Sequence, residues 1–311
     1  MTEGVVRRKR LARAAGLRAL RVLLAVVRRL PLGTALALGR GLGGLMRLAS
    51  RRRYEVALSN LRVAFGDAMD EEERRRVARA CFRHFGMFAV EGMRFPYLSD
   101  AEVLRRVSVP PDVARRADEL KSRAQGALLL TAHLGNFEIA GRWASIQGIP
   151  IIALARPARD AGTTALMKEL RARNGIQVVT LGESLRPVLA GLRKGSAVAI
   201  VCDQNAADIF VPFFGRPTGT VDGPARLALR TGVPMLVAHC VRDGRGGYTV
   251  GLDGELDAAP TGDERADVER IMADVNRLLE AGIRRHPEQW LWFHDRWRAS
   301  PPVEPADGNQ P

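Results

Sequence analysis

From residue 126 onward, short apolar runs alternate with stretches whose apolar positions recur every three or four residues. The runs are GALLLTA (126–132), IPIIALA (149–155), IQVVTL (176–181), SAVAIVC (196–202) and VPMLVAHCV (233–241). Strands that are apolar along their whole length, separated by helices, predict a mainly parallel sheet covered on both faces. The intervening helices are expected near 137–147, 162–174, 183–194 and 222–231, and a longer one over 263–285. YTVGLDG (248–254) reads as an added antiparallel strand. Residues 54–125 read as a helical layer packed on the core. After Asp70 this layer has an acidic first turn, and its apolar face carries Val77, Ala80, Cys81 and Phe85. His84 and Glu91 fall within it and are read as structural. IFVPFFGRPTGTVDGPA (209–225) reads as a Gly/Pro-rich loop, either lining an apolar channel or packed on itself.

The pattern before residue 54 differs. LRALRVLLAVVRRLPLGTALALGRGLGGLMRLASRRR (17–53) is rich in Leu, Ala, Val and Gly, yet Arg28, Arg29, Arg40 and Arg47 break every window of about 18 residues, the length a spanning helix needs. On a helix starting at Pro31, Arg40, Arg47 and Arg51 fall on one face, with Leu36, Leu38, Leu42, Leu45, Met46 and Leu48 on the others. This predicts a basic amphipathic helix lying in an anionic lipid interface. Charge sharpens the picture. The net charge is +14, and residues 1–62 hold 15 Lys/Arg against 2 acids, so all but one unit of the excess sits there. A near-neutral body argues against a nucleic-acid binder. GRGLGG (39–44) matches a dinucleotide fingerprint on Gly39, Gly41 and Gly44, but no strand precedes it. Close helix or lipid approach is the better use of those glycines. Four segments follow: a membrane-associating segment 1–53, a helical layer 54–125, an α/β core 126–298 and a disordered tail 299–311.

In open parallel sheets, ligands bind beyond the carboxyl ends of the strands. Those ends deliver His133, Arg156, Gly182 with Glu183, and Asp203 with Gln204. In TAHLGNFEIAG (131–141), His133 precedes Glu138 by five residues, a rotation of about 500° on a helix, so the two share no helical face. They meet if His133 lies on the turn and Glu138 in the first helical turn, with Gly135 permitting the turn and Asn136 as N-cap. A carboxylate on one imidazole nitrogen fixes the tautomer and frees the other nitrogen to take a proton. Spacing alone leaves two readings open, a base with its orienter or two ordinary side chains at a turn. Asp203, after an apolar strand, reads as catalytic, as an orienter, or as a loop cap. No GxSxG nucleophile motif and no HExxH metal motif is present, and the widely spaced Cys81, Cys202 and Cys240 read as buried reduced thiols.

The segment H-L-G-N-F-E resembles the His-x4-acid motif of the glycerolipid and lipid A acyltransferase superfamily. The late lipid A acyltransferases (lauroyl/myristoyl type) characteristically carry H-x-G-N-aromatic-E, and Phe137 stands where tryptophan is commoner. The resemblance extends from about residue 30 to 298 through RRRYEVALSNLRVAF, ARP (155–157), DQN (203–205), VPFFGRPTGTVDGPARLALRTGVP and RRHPEQWLWFHDRW. It implies a membrane-associated O-acyltransferase on the cytoplasmic face of the inner membrane. Such an enzyme moves an acyl chain from acyl carrier protein, or coenzyme A, to a hydroxyl of a lipid A precursor, without cofactor or metal. It further implies His133 as general base and Glu138 as its orienter. Arg156 would stabilise an oxyanion or hold a phosphate, and Asn136, Asp203 and Gln204 would complete the substrate pocket. Another glycolipid acceptor, such as a phosphatidylinositol mannoside, and a non-catalytic lipid-binding protein are the alternatives.

Overall fold

The computed structural model describes residues 21–158, 160–244 and 246–299, together with Gly16 and Arg18. The start of the basic segment and the tail beyond Ala299 lie outside the described residues. Helices α1 (Leu32–Ala49), α2 (Arg51–Phe65), α3 (Glu71–Arg94), α4 (Asp100–Arg106) and α5 (Pro111–Ser122) form the helical layer, with a short strand β1 (Val107–Ser108) between the last two. They precede an α/β core of strands β2 (Ala127–Thr131), β3 (Ile151–Ala155), β4 (Ile176–Thr180), β5 (Ala197–Val201), β8 (Met235–Arg242) and β9 (Tyr248–Leu256). The core helices are α6 (Phe137–Ile146), α7 (Ala161–Arg173), α8 (Arg186–Arg193), α9 (Gly223–Thr231) and α10 (Glu264–Arg285). The sheet order is β1-β9-β8-β2-β5-β3-β4. Every pairing in it is parallel except β8 with β9.

The apolar runs are buried because each face of the sheet has its own cover. Alternate residues Leu128, Leu130, Val198, Ile200, Met235 and Val237 pack with Val268, Ile271, Met272 and Val275 of α10. The intervening residues Leu129, Ala153, Ala197 and Ala199 face α6, with Ala144, Ile149 and Ile151. The first set is bulky, whereas the second includes several alanines, and the cavity described below lies on that second side.

Two elements differ from the sequence reading. The stretch 209–225 contains an antiparallel hairpin, β6 (Ile209–Phe213) with β7 (Arg216–Thr220), whose Phe213 and Phe214 stack among Trp290, Trp292 and Trp297. Helix α1 ends at Ala49, so Arg51 begins the next helix instead of continuing the basic face. The buried face of α1 is Ala35, Gly39 and Gly43. It lies against Gly86 of α3 so closely that a Cβ on Gly43 would stand 2.1 Å from the carbonyl oxygen of Phe82, and one on Gly86 2.1 Å from that of Gly39. Of the four glycines in GRGLGG, Gly39 and Gly43 serve this contact, whereas open space surrounds Gly41 and Gly44, so only Gly39 of the three fingerprint positions does so. Leu38, Leu42, Leu45 and Leu48 remain exposed. Among the described residues no helix is long and apolar enough to cross a membrane.

Gly43→Leu should therefore prise α1 from α3, at a cost of about 1–3 kcal/mol for overpacking. Thermal unfolding and limited proteolysis within residues 32–49 check this, and an unchanged melting temperature with an equally protected α1 would contradict it.

Candidate active site

The neighbouring strands β2 and β5 run parallel with Thr131 opposite Val201. Two residues further on, His133 and Asp203 leave the sheet at the same level. The consequence is a close pair: His133 Nδ1 lies 2.7 Å from Asp203 Oδ1, and the His133 backbone N–H donates to Oδ2 at 2.8 Å. The Trp290 indole N–H also donates to Oδ2, at 2.7 Å. Asp203 is 2% exposed. Burial pushes its carboxyl up, but the charge and hydrogen bonds of His133 and the indole outweigh this and hold it below the ordinary carboxylate range. Behind it stands Arg296, fully buried and donating to Gly219 O and to Thr220 Oγ1 at 3.1 Å. Burial brings that guanidinium down to about 10, against the opposing pull of Asp203.

The carboxylate on His133 is thus Asp203, and Glu138 is engaged elsewhere. Glu138 sits in the first turn of α6, where its side chain points across to α7. Arg171 grips it with Nη2 at 2.6 Å and Nε at 3.0 Å. Burial would lower the Arg171 guanidinium, but Glu138 more than compensates and raises it. The expected His133–Glu138 hydrogen bond is replaced by this ion pair, because the strand register already supplies a nearer carboxylate.

The remaining expected site residues divide in two. Gln204 and Arg156 face the site: Gln204 Nε2 lies 3.5 Å from His133 Nε2, and Arg156 is exposed on the rim of the cavity that His133 lines. Asn136 and Asp203 do not meet it as substrate contacts. Asn136 is fully buried. Its Oδ1 caps α6 through Ile139 N at 3.2 Å, and its Nδ2 donates to Glu91 at 2.7 Å. Asp203 is occupied by His133 and Trp290. Glu183 closes its own turn on Thr180 N and pairs with Lys168.

The turn 133–136 is clamped from three sides. Gly135 N–H donates to Gln289 O at 3.0 Å, Asn136 N–H to Cys240 O at 2.6 Å, and His84 Nε2 meets Gly135 O at 3.1 Å. Gly135 has φ +62°, and a Cβ there would lie 2.0 Å from Cys240 O, so both backbone and space require glycine. The sequence reading takes His84 and Glu91 as structural without naming their partners, and gives no role to Trp290 or Arg171. Trp290, Arg171, His84 and Glu91 lie 33 to 157 positions from their partners. His294 is a further support, accepting from Asn205 N at 3.1 Å and so holding the loop after Asp203.

A cavity of about 800 Å³ opens at His133. It passes between α6 and the sheet, lined by Ala140, Ala144, Ala153, Ala197 and Ala199, and reaches Leu120 and Leu252. Its volume lies in the range of small-molecule sites. Its walls are mainly apolar; His133, Glu138, Arg156, Arg171 and Gln204 are among its polar residues at the His133 end, and Arg116 and His239 line it near Leu120 and Leu252. Among the described residues no group of three or more His, Cys, Asp or Glu is placed to hold a metal ion. Cys81, Cys202 and Cys240 are buried and unpaired with one another, with thiols pushed up by burial, those of Cys81 and Cys202 to about 12.

Residues 7–299 match the family model described as bacterial lipid A biosynthesis acyltransferase. The chain is 29% identical over 280 residues to the lipid A biosynthesis palmitoleoyltransferase of Escherichia coli, covering 88% of this chain and 87% of that one. It is 27% identical over 287 residues to the lipid A biosynthesis lauroyltransferase of Escherichia coli, covering 90% of each. It is also 27% identical over 229 residues to a phosphatidylinositol mannoside acyltransferase of Mycobacterium tuberculosis, covering 71% of this chain and 70% of that one.

The buried His84 supplies a pH test. Burial first, and Arg242 second, bring its imidazole down to about 3. A depressed imidazole contributes stability that is full above the unfolded value near 6.5 and is lost as pH falls from there toward 3, on the order of 1 kcal/mol per unit. His84→Gln keeps a donor for Gly135 O but cannot charge, so its stability should fall less steeply over that window in denaturant melts. Parallel pH profiles for the two proteins would contradict the assignment.

Proposed function

Because the chain belongs to the bacterial lipid A biosynthesis acyltransferase family and is an acyltransferase, we propose that it moves a fatty acyl chain from a thioester to a hydroxyl of a lipid A precursor, with His133 as general base. The observation that carries the proposal is the His133–Asp203 pair at the mouth of an apolar cavity. Asp203 accepts the proton on Nδ1, which leaves Nε2 as the acceptor facing the cavity. In the proposed step the acceptor hydroxyl gives its proton to Nε2 while its oxygen attacks the thioester carbonyl. The tetrahedral intermediate then collapses, the C–S bond breaks, and the thiolate takes the proton back from the imidazolium. A thioester is already activated, so a base and an oxyanion stabiliser suffice, without a cofactor. Arg156 and the Gln204 amide are the cationic and neutral donors at hand for that oxyanion. Glu138 takes the part of wall-builder: with Arg171 it ties α6 to α7 beside the mouth.

The cavity's alanine lining suits the acyl chain of the donor, acyl carrier protein or acyl-coenzyme A. The exposed leucines of α1, on the most basic part of the chain, suit an anionic membrane surface from which the acceptor is drawn, on the cytoplasmic face in this reading. One relative favours a second acceptor: the similarity to a phosphatidylinositol mannoside acyltransferase supports a mannosylated lipid on the same machinery. A non-catalytic lipid-binding role would leave the His133–Asp203 pair without a use. Transfer assays offering both acceptors in parallel decide between them.

His133→Ala should lower turnover by roughly 10²–10⁴-fold in folded protein, with no acyl-enzyme trapped on the wild type, because the proposed attack comes from the acceptor hydroxyl and not from a Ser or Cys of the chain. Near-wild-type transfer by the variant, or an acyl-enzyme detected by intact-protein mass spectrometry, would end this mechanism. Ala153→Phe, in the cavity wall, should shift the preferred donor toward shorter chains; an unchanged chain-length profile would place the acyl group elsewhere. Leu42→Glu with Leu45→Glu should weaken co-sedimentation with anionic vesicles at low salt, and undiminished binding would move the membrane contact off α1.

A further inference from the structure

Glu91 of α3 is fully buried and has four donors on its two oxygens. Arg242 reaches both oxygens, with Nη2 at 2.7 Å from Oε2. The Tyr248 hydroxyl donates to Oε1, and Asn136 Nδ2 to Oε2 at 2.7 Å. A buried ion pair of this kind is weak evidence for stability, because a well-packed apolar replacement is often as stable or more so. Its other use is specificity. A carboxylate accepts only, so it obliges Asn136 to present Nδ2 and leaves Oδ1 for an N–H in the first turn of α6, that of Ile139. One orientation of that amide therefore sets the start of α6 and the end of the turn 133–136. The opposite end of the turn is His133, whose imidazole must stay on Asp203 while Nε2 faces the cavity.

We propose that Glu91, held by Arg242, is a positioning residue for the transfer reaction: by fixing the Asn136 amide it sets the pose of the turn and of the His133 imidazole. The inference rests on the reading of His133 as the base. Glu91 is not among the residues lining the cavity at His133. Its effect should appear in the chemical step, since a misplacement of about 1 Å at a reacting group costs up to about a hundredfold.

The test is a swap. In E91Q the new side-chain NH₂ faces donors, so the Asn136 amide must turn or withdraw. In N136D two carboxylates face each other. In the double variant the amide NH₂ introduced on α3 donates to the carboxylate introduced at the cap. The other oxygen of that carboxylate still caps α6, and the oxygen of the new amide still accepts from Arg242 Nη1 and the Tyr248 hydroxyl, with the Arg242 Nη2 contact alone given up. Each single variant should lose about tenfold to a hundredfold in kcat per folded molecule, with KM for the acyl thioester unchanged. The double variant should recover to within about threefold of wild type. N136S keeps a helix cap but loses the donor to Glu91, so it should also lose about tenfold in kcat while remaining folded; the cap alone would leave it near wild type. The His133 ring signals in histidine-selective NMR should move in E91Q and return in the double variant. Wild-type kcat in folded E91Q and N136S, or a double variant as impaired as the product of the singles, would overturn the proposal. Activity in His133→Ala would instead remove the reading beneath it, so the two failures are distinguishable.

Discussion

The carboxylate of Asp203 joins three parts of the chain that are remote in sequence. It takes the backbone N–H and the ring of His133 after β2, and the indole of Trp290 near the C-terminus. A buried carboxylate in this position costs desolvation, which three hydrogen bonds offset. Those bonds in turn place much of the rest. The Trp290 backbone bridges Leu134, its neighbour Gln289 holds Gly135, and its carbonyl takes the Cys81 thiol of α3. The helical layer, the turn 133–136 and the C-terminal segment are therefore assembled around one charge.

That arrangement separates two jobs that the His-x4-Glu spacing puts side by side. The imidazole is held by the strand register, through Asp203. The helix after the turn is held by its first-turn acid, through the Glu138–Arg171 pair. The division suits a large apolar cavity. Small side chains on one sheet face leave room that an ordinary core would fill, and such a groove keeps its shape only if its covering helix α6 is firmly anchored. Asn136 and Glu138 anchor its start, and Arg142, bonded to Arg173 O, Leu98 O and Asp100, anchors its middle.

Much of this was legible in the sequence. The strands and helices from 126 to 285 follow their apolar periods closely, since parallel strands buried on both faces leave few polar positions to confuse the pattern. The polar strand ends pointed to the edge at which the cavity opens. Asp203 was legible as one candidate orienter among other roles, but its pairing with His133 was not, because that depends on β5 lying next to β2, and β3 and β4 intervene in the chain. A fixed motif spacing suggested Glu138, whereas register delivers Asp203. The hairpin 209–220 was also hidden: Pro212, Pro217, Gly215 and Gly219 read as loop, yet the pairing survives as a two-strand edge ribbon whose aromatic side packs on the tryptophan cluster. Glu91 and His84 looked like ordinary helix residues because nothing local marks which side of α3 meets the turn.

The central claim is that Asp203, and not Glu138, orients the base. A pair of mutant cycles in kcat/KM measures it directly, crossing His133→Ala with Asp203→Asn in one and with Glu138→Gln in the other. The account predicts that Asp203→Asn is severely impaired alone and adds almost nothing once His133 is gone, as expected of groups that act as a unit. It predicts that Glu138→Gln costs far less alone and keeps its own effect in the His133→Ala background. The reverse pattern, with Glu138 fully coupled to His133 and Asp203 additive, would contradict it.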